Sequence, residues 1–183
     1  MKKNSENSGQ VFKFKIYSNE DEEFLREIEI KPNHTFFDFH KAIQSSVGYE
    51  QGQMASFFLS DENWEKGREI TLFEMSDDED SDILVMDVAM LSEFITPKNS
   101  RLVYVFDFFS ERAFFIELLE VKNENNRNKY PLCTRSLGIP PAQIVYGEKE
   151  SEELDNIFEE DLEDDEFYDN DSFPSYDDFD QLR

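Results

Sequence analysis

Residues 11–49, VFKFKIYSNEDEEFLREIEIKPNHTFFDFHKAIQSSVGY, change their hydrophobic period partway, and that change decides the fold. VFKFKIY (11–17) alternates apolar and polar residues, and FLREIEI (24–30) does so again after the charged turn SNEDEE. Period-two alternation buries one face of a strand and leaves the other in solvent, and a short polar connection joins two such strands as an antiparallel hairpin. Past Lys31 the period lengthens. Phe36, Phe39, His40, Ile43 and Val47 recur at helical spacing. Thr35 stands as the N-cap with Asp38 three residues on, a capping-box variant, and Gly48 ends the run.

A strand pattern returns at MASFFLS (54–60), and an Asp-Glu-Asn turn then leads to Trp64 and EKGREITLF (65–73). A short helix is expected around Met90 to Phe94, before a strand at 101–108, RLVYVFDF, which opens the longer strand-like run LVYVFDFFSERAFFIELLEV (102–121). The order of hairpin, helix, strand, short helix and strand resembles the β-grasp arrangement of ubiquitin-like domains. AMLSEFITPKNSRLVYVFDF (89–108) resembles that fold's short turn and last strand. The expected fold class is therefore α+β, a β-grasp-like mixed sheet packed on one main helix over residues 10–147, after a flexible N-terminus at 1–9. A ubiquitin-type modifier ends in an exposed Gly-Gly tail. Here the chain runs on through FFIELLEV without such a pair, so conjugation is not expected. Beyond the loop NENNRN (123–128), the Tyr-Pro and Pro-Pro segments are expected to wrap the sheet as irregular chain, because proline removes ladder donors.

Residues 101–143 carry a second resemblance. Tyr104, Phe106, Asp107, Phe108, Ile116, Tyr130, Pro131, Cys133, Gly138, Pro140 and Pro141 match the hydrophobic skeleton of the plasmid pRiA4b ORF-3-like family. Its members carry a Tyr-Asp-Phe-Gly-Asp-x-Trp-x-His run followed by Tyr-Pro, Cys, Gly and Pro-Pro-Glu-Asp. The polar positions depart from that pattern. Phe109 stands for the family's Gly, Ser110 for its Asp, Arg112 near its Trp, Phe114 near its His, and Ala142-Gln143 for the closing Glu-Asp. The family's frequent Leu-His pair is echoed by Phe39-His40. No established biochemical activity comes with the resemblance, which implies only a plasmid or mobile-element setting.

Charge separates the body from its C-terminal part. The chain of 183 residues has a formal net charge of -25, and residues 148–180 hold 17 acids against the single base Lys149. The remaining body is acidic too. Affinity for nucleic-acid backbones comes mainly from Lys and Arg, so direct nucleic-acid binding is not expected, and the fitting partner is a protein with a basic or neutral surface. Low hydrophobicity with high charge marks 148–183 as a disordered acidic tail. Leu154, Ile157, Phe158 and Leu162 fall roughly on one face of a short helix that Ser151 would cap, and Phe167, Tyr168, Phe173, Tyr176 and Phe179 follow at short intervals. Two readings of the tail stand side by side: a solubilising brush, since like charges repel and stay extended, and a recognition segment, in which the spaced aromatics that a pure brush does not use supply anchors while the acids steer. Hence Leu154, Ile157, Phe158, Phe167, Tyr168, Phe173, Tyr176 and Phe179 are the candidate partner-binding residues.

Signals for catalysis and cofactors are sparse. The polar start and the lack of a long apolar run argue against a signal peptide or membrane span, and one cysteine, Cys133, permits no internal disulfide, so a cytoplasmic setting is expected. The six glycines form neither phosphate-binding spacing. Asp78, Asp80 and Asp82 open like a calcium loop, but Ile83 and Ala89 occupy the places of its glycine and bidentate Glu. Two histidines, His34 and His40, with one cysteine cannot complete a structural zinc set. No cofactor or metal is expected. A His on an apolar helix face is more often a hydrogen-bonded core residue than a base. Alternation sets Asp107 on the face opposite Phe106 and Phe108. The expected function is a noncatalytic protein-interaction module. The rivals are an enzyme or nucleic-acid-processing factor using His40 and Asp107, and an acidic nucleic-acid mimic.

Overall fold

The structure, a computed structural model, describes residues 9–73, 83–96 and 99–144. The chain divides into two units, Met1–Ile144 and Val145–Arg183. The second unit, with every candidate residue of the acidic tail, lies outside the described residues, as does the Ser76–Asp82 run.

Alternation at 11–17 becomes β1 (Gln10–Tyr17), with Phe12, Phe14 and Ile16 buried and Lys13, Lys15 and Tyr17 on the other face. β2 (Leu25–Ile30) pairs antiparallel to it from Phe12↔Ile30 to Tyr17↔Leu25. The turn between them is closed locally, Ser18 Oγ accepting from Glu20 N and Asp21 Oδ1 from Glu23 N. α1 (Phe36–Val47) starts and ends where its signals place it. Thr35 Oγ1 accepts from Asp38 N, the Asp38 carboxylate accepts from Thr35 N, and Gly48 closes the helix at φ 71°. Left-handed backbone of this kind favours glycine.

β3 (Ser56–Ser60) and β4 (Lys66–Thr71) are antiparallel, and the two-residue β5 (Leu84–Val85) runs parallel to β4. α2 (Leu91–Phe94) precedes β6 (Arg101–Asp107), β7 (Arg112–Asn123) and β8 (Leu132–Leu137). All strands join one eight-stranded mixed sheet in the order β5-β4-β3-β6-β7-β1-β2-β8. Phe36, Phe39, Ile43 and Val47 of α1 share a core with Phe14, Phe57, Tyr104 and Phe114 of the sheet.

Three expectations need correction. The helix is a minor element, not a main packing helix, since its twelve residues cannot span eight strands. The run 102–121 is two strands, because the Asp107 carboxylate accepts from Phe109 N and Ser110 N at 3.0 and 3.1 Å and turns the chain. The segment between Pro131 and Pro140 is also a strand rather than irregular chain. Both prolines fall outside Leu132–Leu137, so none of its ladder donors is removed.

Candidate functional site

The two residues proposed for chemistry are committed to separate places. His40 is 3% exposed, and its Nδ1 shares a hydrogen bond of 2.8 Å with the hydroxyl of Tyr104, which is itself fully buried. Phe37 stacks on the imidazole at 5.9 Å. Burial, helped by the charge of Lys41, pushes the His40 pKa down to about 4, and burial pushes the Tyr104 phenol up. At neutral pH both rings are uncharged and neither presents an edge to solvent. Gln44 Oε1 is buried nearby on the same helix and has no hydrogen-bond partner among the described residues.

Asp107 works at the sheet's end. Besides the two turn amides, its carboxylate lies 3.8 Å from Arg112 Nη1. Arg112 makes a two-pronged contact with Glu20 at 3.1 and 2.8 Å, tying the β6–β7 turn to the β1–β2 turn. The structure therefore does not bring His40 and Asp107 together. The same turn exposes Phe109 almost completely, at 99%, and Phe108 at 45%, so Phe108 is not part of the buried skeleton as expected.

The matched residues near the C-terminal end of the described body act as fasteners. Gly138 has φ 64°, and a Cβ on it would lie 2.6 Å from the Glu23 carbonyl oxygen. Only glycine fits that approach. Buried Arg26 fills the space beneath, donating from Nε to Ser46 O at 2.9 Å and from Nη1 to the carbonyls of Leu25, Leu137 and Gly138. Further along, Tyr49 Oη donates to Pro141 O at 2.7 Å, while the Gln143 amide and the Glu50 backbone bond each other twice. Cys133 is exposed, its thiol contacting Arg135 O. His34 is half-buried at the mouth of α1.

The sheet face away from α1 has two textures. Over β6 and β7, Trp64 lies on Phe115 and Tyr17 at ring distances of 5.0 and 6.0 Å, with Arg101 over the indole at 5.0 Å. Trp64 reaches this place from a left-handed backbone, φ 66°, in a turn where Asp61 Oδ1 accepts from Asn63 N and Glu65 N. Over β1, β2 and β8 the face is charged. Glu27 pairs with Lys13 at 2.8 Å and Arg135 at 3.3 Å, and the Lys13 hydrogen bond leads in holding its carboxyl below the usual range. Glu29 pairs with Lys122. Beside Glu27 an open groove of roughly 720 Å³ is lined by Lys15, Leu25, Leu119, Arg135 and Leu137 together with Glu22 and Glu23. It reaches β8, the edge of the sheet among the described residues, where residues 133–137 are exposed.

The sequence model of the plasmid pRiA4b ORF-3-like protein family matches residues 10–181. The chain belongs to that family. Among solved structures, the protein is similar to one of unknown function from Methanosarcina mazei Go1, at 23% identity and TM-score 0.59, over 69% of this chain and 68% of that one. At that identity the likeness carries the fold alone. No curated protein matches the chain.

In this pRiA4b ORF-3-like chain the matched positions can now be assigned one by one. Tyr104 holds His40, Asp107 makes a turn, and Gly138 seats the chain against the β1–β2 turn. The groove and the β8 edge escaped sequence reasoning. Their residues come from β1, β2, β7, β8 and a turn, and the one available signal was the apolar pair Leu132 and Leu137 between two prolines. Among the described residues no helix is long and apolar enough to cross a membrane, and no group of three or more His, Cys, Asp or Glu side chains is placed to hold a metal ion.

Proposed function

We propose that this protein is a noncatalytic interaction module that binds a protein partner with a basic or neutral surface. The observation that supports the reading best is the exposed strand β8 beside an open groove with carboxylates in its lining. Main-chain groups at a sheet edge supply affinity without chemistry, and neighbouring side chains supply selection. His40 and Asp107 are engaged within the fold, which leaves the enzyme reading without a residue pair to act on a substrate. A β-grasp-like kinship stays part of the proposal, supported by the order β1, β2, α1, β3 and by β6, although β7 lies between β1 and β6. The domain of residues 10–147, the cytoplasmic setting, the plasmid or mobile-element association and the role of a disordered tail belong to the same proposal.

In that role the acids of 148–183 steer a basic partner, and Leu154, Ile157, Phe158, Phe167, Tyr168, Phe173, Tyr176 and Phe179 anchor it. The test is affinity capture from the source cell with three baits: the full chain, a chain ending at Gly147, and a full chain with Phe167, Tyr168, Phe173, Tyr176 and Phe179 changed to Ser. A salt-sensitive partner held by the first bait and weakened on the third supports anchoring by the tail. A partner held equally by all three assigns recognition to the body. Turnover of a substrate that disappears in both His40→Ala and Asp107→Asn, with each variant folded, would overturn the noncatalytic reading.

A further inference from the structure

We propose that β8 accepts an extended segment of a partner protein as an added strand, and that this segment turns both apolar and Lys or Arg side chains to the groove. The inference rests on the interaction reading above and gives it a place and a partner chemistry.

The two ends of the sheet differ in what they offer. At one end stands β5, two residues long, too short to template a strand. At the other, β8 offers six residues between prolines, with no Pro inside Leu132–Leu137 and its one charge, Arg135, paired with Glu27 of the neighbouring strand. It is also held firmly. Arg26 donates to the carbonyls of Leu137 and Gly138, Arg135 pairs with Glu27, and Gly138 is pressed on Glu23, so an incoming strand meets an ordered edge and pays little to fix it. The register against β2 slips at Thr134, between Glu27↔Arg135 and Ile28↔Cys133. Such a bulge twists the edge, which suits a single partner strand better than repeated edge-to-edge stacking.

Side chains at the edge define the occupant. Leu25, Leu119 and Leu137 give the groove an apolar floor. Glu27 is already matched by Lys13 and Arg135, whereas exposed Glu22 and Glu23, and Lys15 of the same lining, enter no ion pair among the described residues. Two carboxylates against one ammonium leave the unmatched charge of the groove negative. Added-strand side chains pointing into this face alternate with those pointing away. One that meets Leu137 is favoured if apolar, and those two positions away on the same face, near Glu22 and Glu23, if basic. A second copy of this chain is a poor occupant, since each copy brings a net charge of -25.

The probe is a synthetic peptide of about ten residues with Val and Lys taking turns at every second position and Thr between them, long enough to cover a typical strand. It is titrated into the isotopically labelled full chain and followed by amide chemical shifts and hydrogen exchange. Amides of Leu132–Leu137 are expected to shift and gain protection, and a peptide N-methylated at every second residue to lose the effect, because it cannot complete a ladder. Glu22→Lys with Glu23→Lys is expected to weaken binding about tenfold at low salt. Shifts confined to residues 148–183, equal binding of the methylated peptide, or a dimer without peptide would overturn the proposal. So would unchanged affinity in the double Lys variant. Failure here is distinguishable from failure of the interaction reading: a cellular partner captured equally by the parent and the double Lys variant removes β8 as the site and leaves an interaction module standing.

Discussion

The Tyr104 hydroxyl and His40 Nδ1 sit 2.8 Å apart between α1 and the sheet, two polar atoms satisfying each other where water does not reach. Burial makes this pairing sensitive to proton uptake. The folded imidazole has a pKa of about 4, below its unfolded value of roughly 6.5. As pH falls, the unfolded chain takes its proton first. The stability tied to neutral His40 is thus complete above about pH 6.5 and declines toward about pH 4, by roughly 3 kcal/mol. Urea midpoints measured across that window should slope less in His40→Gln than in the parent. Parallel slopes would show that His40 does not titrate as its burial requires.

Phe39→Ala should cost on the order of 3 to 5 kcal/mol. Its ring is fully buried, 4.8 Å from Phe14 and 5.6 Å from Phe57, and joins the helix to two strands. Denaturant unfolding at neutral pH checks the figure, and a loss under about 1 kcal/mol would mean that the core refills the space with ease.

Two glycines separate backbone strain from steric clash. Gly48→Ala meets nothing within 4 Å and should lose about 1 kcal/mol for its left-handed φ of 71°. Gly138→Ala adds a Cβ 2.6 Å from a carbonyl oxygen that belongs to another segment, so its loss should exceed the first by at least about 1 kcal/mol. Thermal midpoints of the two variants decide the matter. Equal shifts would mean that the Glu23 backbone gives way.

At the β6–β7 turn, Asp107→Ala hands two exposed amides over to water and should cost about 0.5 to 1.5 kcal/mol. Asp107→Asn retains an oxygen in the same place and should lose less than half of that. If Asn proves as damaging as Ala by chemical unfolding, the charge beside Arg112 matters more than the turn.

What could be read in the sequence was local. The first hairpin followed from period-two alternation, and the limits of α1 followed from Thr35, Asp38 and Gly48, because capping joins groups only three or four residues apart. The β6–β7 turn stayed hidden for a physical reason: Phe108 and Phe109 continue the apolar run, and left-handed Glu111, φ 52°, stands where a glycine would have announced the bend. Composition alone established the acidity of the chain and its single cysteine. Tertiary structure decided the rest. Arg26 and Gly138, 112 positions apart, meet only when β8 pairs with β2, and His40 finds Tyr104 only when α1 lies on β6. Whether a histidine is a base or a core residue, and whether a proline-bounded segment becomes an exposed edge, depends on neighbours that chain spacing does not encode.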